Sequence, residues 1–214
     1  MQTFSLNRGS ILADKLIVAI QQNKQYLSDI DGAIGDGDHG INMNKGFTMW
    51  KEVLENDPGN LAHSLQLLGR ILMMKIGGSM GPLYGKFFMA FANALQGKEE
   101  IGKEDFLLAL KASLEAIQGI SKAQVGDKTL MDVLIPATEA YEQALQEGLT
   151  FAQSLERMQQ AATAGRDSTK DMVAKIGRSS RLGERSKGTI DAGAASSCLI
   201  LTTMIEGIVE LLNC

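Results

Sequence analysis

The sequence has few of the residues that support disulfide or soft-metal chemistry, with two cysteines and two histidines in 214 residues. The cysteines, Cys198 and Cys214, offer neither a disulfide framework nor the ligand spacing of a zinc site. Cys198 lies in an apolar stretch, so we expect it to be a small core residue. His63 has no possible ligand beside it and is expected at the surface. The composition therefore argues against both a disulfide scaffold and a zinc protein.

An excess of positive charge is also missing, since 21 Lys and Arg residues face 25 Asp and Glu residues, giving a net charge of −4. A general nucleic-acid binder would carry a basic face, so no nucleic-acid partner is expected. The N-terminus shows no apolar stretch of the kind found in a signal peptide, and we expect that no apolar run reaches the length needed to span a membrane. These patterns predict a cytoplasmic protein without a membrane segment.

Alternation of apolar and polar residues, the pattern of a β-strand, is not sustained anywhere in the chain. Apolar residues recur instead at intervals of three and four, as on one face of an α-helix. Eight such stripes follow one another: 12–30, 47–54, 61–76, 84–95, 106–117, 130–145, 151–162 and 193–212. The pattern predicts one all-α domain of about eight helices over residues 1–214, arranged as a bundle or helical barrel.

The chain contains only three prolines, and each one bears on a helix boundary. Pro58 lies in a turn that ends the second stripe. Pro82 suits the first turn of the fourth helix. Pro136 lies inside the sixth stripe, where it predicts a kink or the true start of that helix. The last stripe is apolar on nearly every face, which is typical of a buried central helix.

Four polar segments interrupt the helical pattern, at residues 29–44, 77–85, 126–129 and 177–197. Long connections in a helical protein tend to be functional. If the helices run alternately up and down, every second connection lies at the same end of the domain. We therefore expect these segments to form one site.

The first polar segment carries three carboxylates within eight residues: Asp31, Asp36 and Asp38. Glycines between them allow tight folding, and oxygen ligands without cysteine favour magnesium or calcium. The alternative is a solvated acidic turn. A dinucleotide-binding loop is excluded because no strand precedes the glycines, and neither register fits a calcium-binding loop.

The second segment, 77–82, leads into a predicted helix N-terminus, where free backbone N–H groups favour an anion. An ordinary helix-start turn is the alternative. The sequence 81–87 fails the Walker A pattern in its spacing and at Phe87. Carboxylates approach a polyphosphate only through bridging cations, so the segments together favour a metal–nucleotide site outside the usual phosphate-loop architecture.

Four motifs of this chain closely resemble the nucleotide-binding L subunits of dihydroxyacetone kinases. They are DGAIGDGDHGINM at 31–43, GGSMGPLYG at 77–85, GDKT at 126–129 and LGERSKGTIDAGAAS at 182–196. The motifs occur in the family's order and the resemblance covers the whole chain. It implies an eight-helix antiparallel barrel with the nucleotide site at one end.

The resemblance also implies the site residues. Asp31, Asp36 and Asp38 would bind two Mg²⁺ ions that hold the diphosphate of ADP or ATP. The residues implied in nucleotide binding are His39, Gly40, Ile41, Asn42, Ser79, Met80, Ser121, Leu130, Arg178, Asp191, Ala192 and Gly193. No residue of the chain would need to act as a nucleophile or base. Met80 stands where the family usually has serine and Ala192 where it usually has proline, which puts the tightness of binding in question.

The family exists in a fused form that uses free ATP and in a split form that keeps ADP bound. This chain has no room for a substrate domain, so it resembles the split form. The implied partners are a K subunit that holds dihydroxyacetone covalently and a phosphoryl carrier of the phosphotransferase system, with a transcription regulator and a homodimer as further possibilities. The alternatives are a kinase subunit for another carbonyl or acyl substrate and a nucleotide-sensing regulatory protein.

Overall fold

The computed structural model describes residues 2–213, so Cys214 lies outside the described residues. Within them the chain forms nine α-helices and a pair of three-residue strands, β1 (Thr3–Ser5) and β2 (Glu100–Gly102). The helices are α1 (Ser10–Gln22), α2 (Lys24–Ile34), α3 (His39–Leu54), α4 (Leu61–Lys75), α5 (Met80–Leu95), α6 (Lys103–Gln118), α7 (Met131–Gln146), α8 (Phe151–Ser168) and α9 (Ala192–Leu212). Short 3₁₀ segments occupy Leu6–Arg8, Thr169–Asp171 and Arg178–Ser186. The predicted all-α class is confirmed.

Eight of the helices close a ring. From α3 to α9 each helix packs against the next one in the chain, and α1 packs against both α3 and α9. Helix α2 lies beside this ring and contacts α1, α3 and α9. Short connections between successive neighbours favour antiparallel packing. The ring agrees with the expected eight-helix barrel, and α2 is the additional helix.

The extra helix arises because the first predicted helix is broken at Asn23. The Asn23 side-chain amide donates to the Ala19 carbonyl at 2.9 Å, and its backbone N–H donates to the same oxygen at 3.1 Å. Its backbone (φ −98°, ψ 6°) departs from the helix. Asparagine competes in this way for backbone groups and is a weak helix former. The apolar stripe continues through the break, so periodicity alone predicted one helix.

Two of the proline predictions can be compared directly with the helix bounds. Helix α5 begins at Met80, so Pro82 lies in its first turn, where backbone N–H groups have no partner within the helix. Helix α7 begins at Met131 and continues through Pro136, so of the two alternatives predicted for Pro136 the helix start is wrong, and the kink stays a prediction.

Helix α9 is the buried helix that the sequence predicted. It is 21 residues long, and its most apolar 18-residue stretch has a mean hydropathy of 1.6, as in a membrane-spanning helix. This corrects the expectation that no apolar run reaches that length. However, 67% of that stretch is buried inside the protein, where α9 packs against α1, α2, α7 and α8. A core helix of a globular protein has the same properties, so α9 carries little weight as a membrane segment.

Aromatic residues fill much of the remaining core. Phe106 lies at the centre of this group, with ring-centroid distances of 5.6 Å to Phe91, 5.3 Å to Tyr141 and 5.9 Å to Phe151. Trp50 is fully buried, and its indole N–H donates to the Ser64 carbonyl at 2.9 Å. Cys198 is buried as predicted. These side chains make the barrel interior a packed core.

The strand pair was not predicted from the sequence. Phe4 of β1 lies opposite Ile101 of β2 in an antiparallel register, and both side chains are buried. Three residues are too few to show an alternating pattern. Strand β2 leads directly into α6, whose other end approaches the polar segments. The strand pair therefore closes the end of the barrel that is remote from them.

Candidate functional site

The four polar segments meet in one cleft of about 570 Å³ at one end of the barrel. Each segment contributes to the lining, and Ser121, just after α6, contributes as well. A cleft of this size is in the range of small-molecule sites. The expected convergence of the segments is therefore observed.

The acidic loop connects α2 to α3 and brings three carboxylates together. Oxygen atoms of Asp31, Asp36 and Asp38 all lie within 4.8 Å of one another. Gly37 adopts a positive φ of 75°, a conformation that glycine allows at little cost, and this turns the chain between the second and third aspartates. The Asp31 carboxylate also accepts a hydrogen bond from the His39 backbone N–H at 3.2 Å. A cluster of carboxylate oxygens is the donor set that a hard divalent cation prefers.

Arg178 brings positive charge to the same place from the α8–α9 connection. Its guanidinium forms an ion pair with Asp36 and lies 3.8 Å from Asp38, measured from Nη1 to Oδ2. All three side chains are about half exposed, so these pairs add little stability. Arginine suits recognition of phosphate oxygens through its fork of N–H donors. Arg178 is thus placed at the boundary between the acidic loop and the cleft.

The α4–α5 connection forms the glycine-rich wall. Gly77 and Gly78 have no heavy atom near the position that a side chain would occupy, so this wall is open to a close approach from the cleft. Ser79 and Met80 line the cleft where α5 begins. Unpaired backbone N–H groups and the helix dipole make this first turn favourable for an anion.

The opposite wall is the start of α9, which Asp191 caps. Its carboxylate accepts a hydrogen bond from the Ala194 N–H at 2.8 Å, and its own backbone N–H donates to the Thr169 hydroxyl at 3.1 Å. Burial raises the pKa of Asp191 to about 6 from an ordinary value of 3.8, against the opposing effect of the Ala194 hydrogen bond. Asp191 therefore remains mostly ionised at neutral pH.

Lys128 also belongs to the lining and supports this wall. It is fully buried and has a positive φ of 62°, which is unusual for a residue with a side chain. Its ammonium donates to the carbonyl oxygens of Thr169 and Thr189, at the end of α8 and just before α9. Burial lowers the pKa of Lys128, while Asp191 and Asp132 act in the opposite direction. Lys128 thereby links the 126–129 segment to both ends of the α8–α9 connection.

A chain of hydrogen bonds that includes the buried Ser196 and Tyr84 lies beneath the acidic loop. His39 Nε2 lies 2.8 Å from the Ser196 hydroxyl, which lies 2.6 Å from the Tyr84 hydroxyl, and Tyr84 donates to the Gly193 carbonyl at 3.1 Å. Burial lowers the pKa of His39 to about 4, so its imidazole is neutral at neutral pH. Burial also raises the pKa of Tyr84. The chain joins α3, α5 and α9.

Apolar side chains form the remaining wall of the cleft. They come from the end of α4, the start of α5, the α6–α7 connection and the segment before Arg178: Met73, Pro82, Leu83, Ile120, Ala123, Leu130 and Ile176. Ligand sites commonly combine such apolar walls with a few polar groups. The cleft therefore offers an apolar side suited to a flat ring and a charged side suited to an anion with a metal ion.

The predicted site residues line this cleft, with two exceptions. A side chain at Gly40 would overlap the backbone of Lys24 and Ser28, so this glycine allows α2 and α3 to pack closely. Ile41 is 53% exposed and is not part of the lining. Their predicted roles in nucleotide binding stay predictions.

Sequence reasoning gave no individual role to Tyr84, Lys128, Thr129 and Ser196. Tyr84, Lys128 and Thr129 line the cleft, and Ser196 lies behind it. All four residues lie within the motifs that carry the family resemblance, and this membership is the signal that could have identified them. Tyr84 was assigned to an apolar stripe because its spacing matches that of core residues.

Comparisons with known proteins give a consistent result. Residues 33–206 match a family model described as the DAK2 domain. The chain is 40% identical over 188 residues to the "PEP-dependent dihydroxyacetone kinase 1, ADP-binding subunit DhaL" of Listeria innocua, covering 87% of this chain and 89% of that one. It is 42% identical over 188 residues to the "PTS-dependent dihydroxyacetone kinase, ADP-binding subunit DhaL" of Lactococcus lactis, covering 87% and 90%.

A solved structure is similar in fold. The dihydroxyacetone kinase from C. freundii, crystallised in complex with AMP-PNP and Mg²⁺, aligns with a TM-score of 0.68 at 24% identity. The alignment covers 91% of this chain and 33% of that one, so the present chain corresponds to about a third of the larger protein. The similarity supports the helical barrel.

Proposed function

The chain belongs to the DAK2 domain family, and on that premise we propose that it is the nucleotide-binding subunit of a dihydroxyacetone kinase. In this proposal the whole chain acts as one domain that binds ADP or ATP together with two Mg²⁺ ions. Its relatives of about 40% identity carry the name of ADP-binding subunits. The activity is a phosphotransferase activity with an alcohol group as acceptor.

The observation that carries the proposal is the group of Asp31, Asp36 and Asp38, with oxygen atoms within 4.8 Å of one another. The cluster lies in the same cleft as the first turn of α5 and the Arg178 guanidinium. Asp31, Asp36 and Asp38 would hold magnesium ions there, and the ions would offset charge that develops during phosphoryl transfer. Calcium has the same ligand preference, but a phosphate-bound metal in phosphoryl transfer is usually magnesium.

The chain's own residues would act mainly by binding and orienting the nucleotide. The amides of Ser79 and Met80 at the start of α5 favour the phosphates, and Arg178 supplies a cation beside them. The apolar side of the cleft, including Leu83 and Leu130, accommodates the base. Phosphoryl transfer can be catalysed largely by positioning and electrostatics, so no nucleophile or base from this chain is required.

The acceptor and the phosphoryl donor would come from partner proteins in the cytoplasm. The relatives are named as ADP-binding subunits of PEP- or PTS-dependent dihydroxyacetone kinases. In our proposal a separate K subunit holds dihydroxyacetone, and a carrier of the phosphotransferase system rephosphorylates a tightly bound ADP. Two isoleucines of the cleft are well exposed: Ile120 by 49% and Ile176 by 38%. Apolar groups exposed at a binding site fit a partner that covers it. The transcription regulator and the homodimer stay predictions from the sequence.

Reconstitution tests this division of labour. The purified chain alone should not phosphorylate dihydroxyacetone, whereas addition of a K subunit and a phosphorylated carrier should give turnover. Omission of the carrier should stop turnover after the bound nucleotide is used. Sustained activity of the chain alone would contradict the proposal, and turnover only with another carbonyl compound would favour the alternative substrate.

A further inference from the structure

The hydrogen-bond chain beneath the acidic loop has a direction that can be derived from its end. The last acceptor is the Gly193 carbonyl, which can only accept, at 3.1 Å from the Tyr84 hydroxyl. The central contact, between the hydroxyls of Tyr84 and Ser196, is the shortest at 2.6 Å. Ser196 Oγ also lies 3.0 Å from the Ala192 carbonyl. The Ser196 and Tyr84 side chains are buried, so the contact between their hydroxyls needs a proton from one of the two.

Counting the available protons decides the state of His39. If the imidazole carries its proton on Nε2, three protons are available for the cluster: His39 donates to Ser196, Ser196 donates to Tyr84, and Tyr84 donates to Gly193. If the proton is on Nδ1, only the two hydroxyl protons remain. In that case one of the three contacts is left without a proton, although the Gly193 carbonyl still accepts from the Ser197 hydroxyl at 2.8 Å. The Nε2–H form satisfies one more contact and is therefore favoured.

The same chain fixes three elements of the site relative to one another. His39 begins α3 directly after the acidic loop, Tyr84 lies in the second turn of α5, and Ser196 lies in the second turn of α9. His39 and Tyr84 line the cleft, whereas Ser196 does not. Ser196 is fully buried and contacts both of the others. It is thus the point through which the position of the His39 ring depends on α5 and α9.

We propose that Ser196 is a positioning residue of the nucleotide site: its hydroxyl accepts the Nε2–H of His39 and donates to Tyr84. This holds the imidazole with Nδ1 as its unprotonated nitrogen. A nitrogen with a lone pair accepts hydrogen bonds, so His39 would receive one from a hydroxyl of the bound nucleotide, and would not donate to a phosphate. The inference rests on the proposed nucleotide-binding function for its effect on affinity, but the hydrogen-bond chain itself does not depend on that function.

Nuclear magnetic resonance of protein labelled with ¹⁵N in histidine tests the chain directly. The sequence contains only His39 and His63, and the exposed His63 serves as an internal reference. The free protein should show the His39 proton on Nε2, with a downfield, slowly exchanging N–H signal. Ser196→Ala should abolish that signal or shift it upfield, and Tyr84→Phe should shift it while retaining it.

Matched controls separate this role from a general effect on stability. Ser113 and Tyr141 are also buried, and their hydroxyls donate to backbone carbonyls, of Phe87 and of Lys103 respectively. Neither residue lines the cleft. Ser113→Ala and Tyr141→Phe should therefore lower the melting temperature without moving the His39 signal or the Mg–ADP affinity.

Calorimetric titration with Mg–ADP measures the consequence for the site. Loss of one buried hydrogen bond predicts an increase in Kd of about threefold to tenfold for Ser196→Ala, and a smaller increase for Tyr84→Phe.

The proposal is overturned if the His39 proton is on Nδ1, if Ser196→Ala leaves the N–H signal unchanged, or if both variants bind Mg–ADP like the original protein. If Ser196→Ala fails to fold, the proton position in the original protein and the Tyr84→Phe variant decide the matter. Absence of Mg–ADP binding by the original protein would contradict the proposed function, while the signal in the free protein would still test the hydrogen-bond chain.

Discussion

Two residues of the cleft, His39 and Asp191, respond to pH in opposite directions. Burial lowers the pKa of His39 to about 4, below its ordinary 6.5, so the unfolded chain binds a proton before the folded one does. Its contribution to stability is lost as the pH falls through that range. Burial raises the pKa of Asp191 to about 6 from 3.8, so here the folded chain binds the proton first, and stability is gained as the pH falls. The two effects partly cancel between pH 6.5 and 4.

Asp191→Asn should remove the Asp191 contribution to the pH dependence of stability and leave that of His39. Asparagine retains a side-chain oxygen that can cap α9 but cannot take up a proton. We expect the variant to lose more stability than the original protein as the pH falls from 6.5 to 4, with the difference growing by roughly 2 kcal/mol. Urea unfolding of both proteins at several pH values, without magnesium, measures this difference. Parallel stability curves would show that Asp191 has an ordinary pKa.

At the scale of the helices, Pro136 and Gly165 explain how α7 and α8 pack closely. Pro136 has no N–H, so the carbonyl of Asp132, four residues earlier, lacks its usual helical partner. A side chain at Gly165 on α8 would overlap this carbonyl oxygen and the adjacent backbone of Val133. Glycine thus allows the backbone of α8 to approach α7 at the point where the backbone hydrogen bonding of α7 is interrupted. The contact lies near Asp132, whose carboxylate accepts hydrogen bonds from Gly126 and Thr129 at 2.6 and 2.7 Å.

Gly165→Ala should therefore destabilise the protein although alanine is the better helix former. The helix-propensity gain is about 1 kcal/mol, whereas overlap with rigid backbone costs about 1–3 kcal/mol. Gly32→Ala is the matched control, because Gly32 lies in α2 and the nearest heavy atom to an added side chain is 3.8 Å away. We expect the control to gain about 0.5–1 kcal/mol. Thermal unfolding of both variants measures the difference, and equal gains in stability would contradict the close approach of α7 and α8.

For the whole molecule, periodicity was sufficient to predict the helical class and most of the helices. The stripes at 61–76 and 106–117 correspond to α4 and α6 because each presents one continuous face to the core. The break at Asn23 was not predicted, since it depends on one side-chain hydrogen bond that leaves the apolar stripe intact. The β1–β2 pair was missed because its strands are brought together by the closed barrel and are too short to have a pattern.

The site was predictable where residue type and spacing reflect chemistry, as in the acidic loop. Residues whose role depends on tertiary contact were not. Ser196 resembles any small residue of a buried helix until its contacts with His39 and Tyr84 are known. Lys128 looks like an exposed loop residue in the sequence, yet it is fully buried. Such assignments require the relative positions of several helices, which the local sequence does not contain.

The most direct test of the central claim, that the acidic loop binds a magnesium–nucleotide complex, is calorimetric titration of ADP with and without magnesium. We expect binding in the presence of Mg²⁺, and a loss of affinity of at least about tenfold when the metal is chelated or in Asp38→Asn. Asp29→Asn is the control, because Asp29 is an exposed carboxylate of α2 that bonds to Gln25 and does not line the cleft. That control should bind like the original protein. ADP binding that is indifferent to both magnesium and Asp38 would contradict the account.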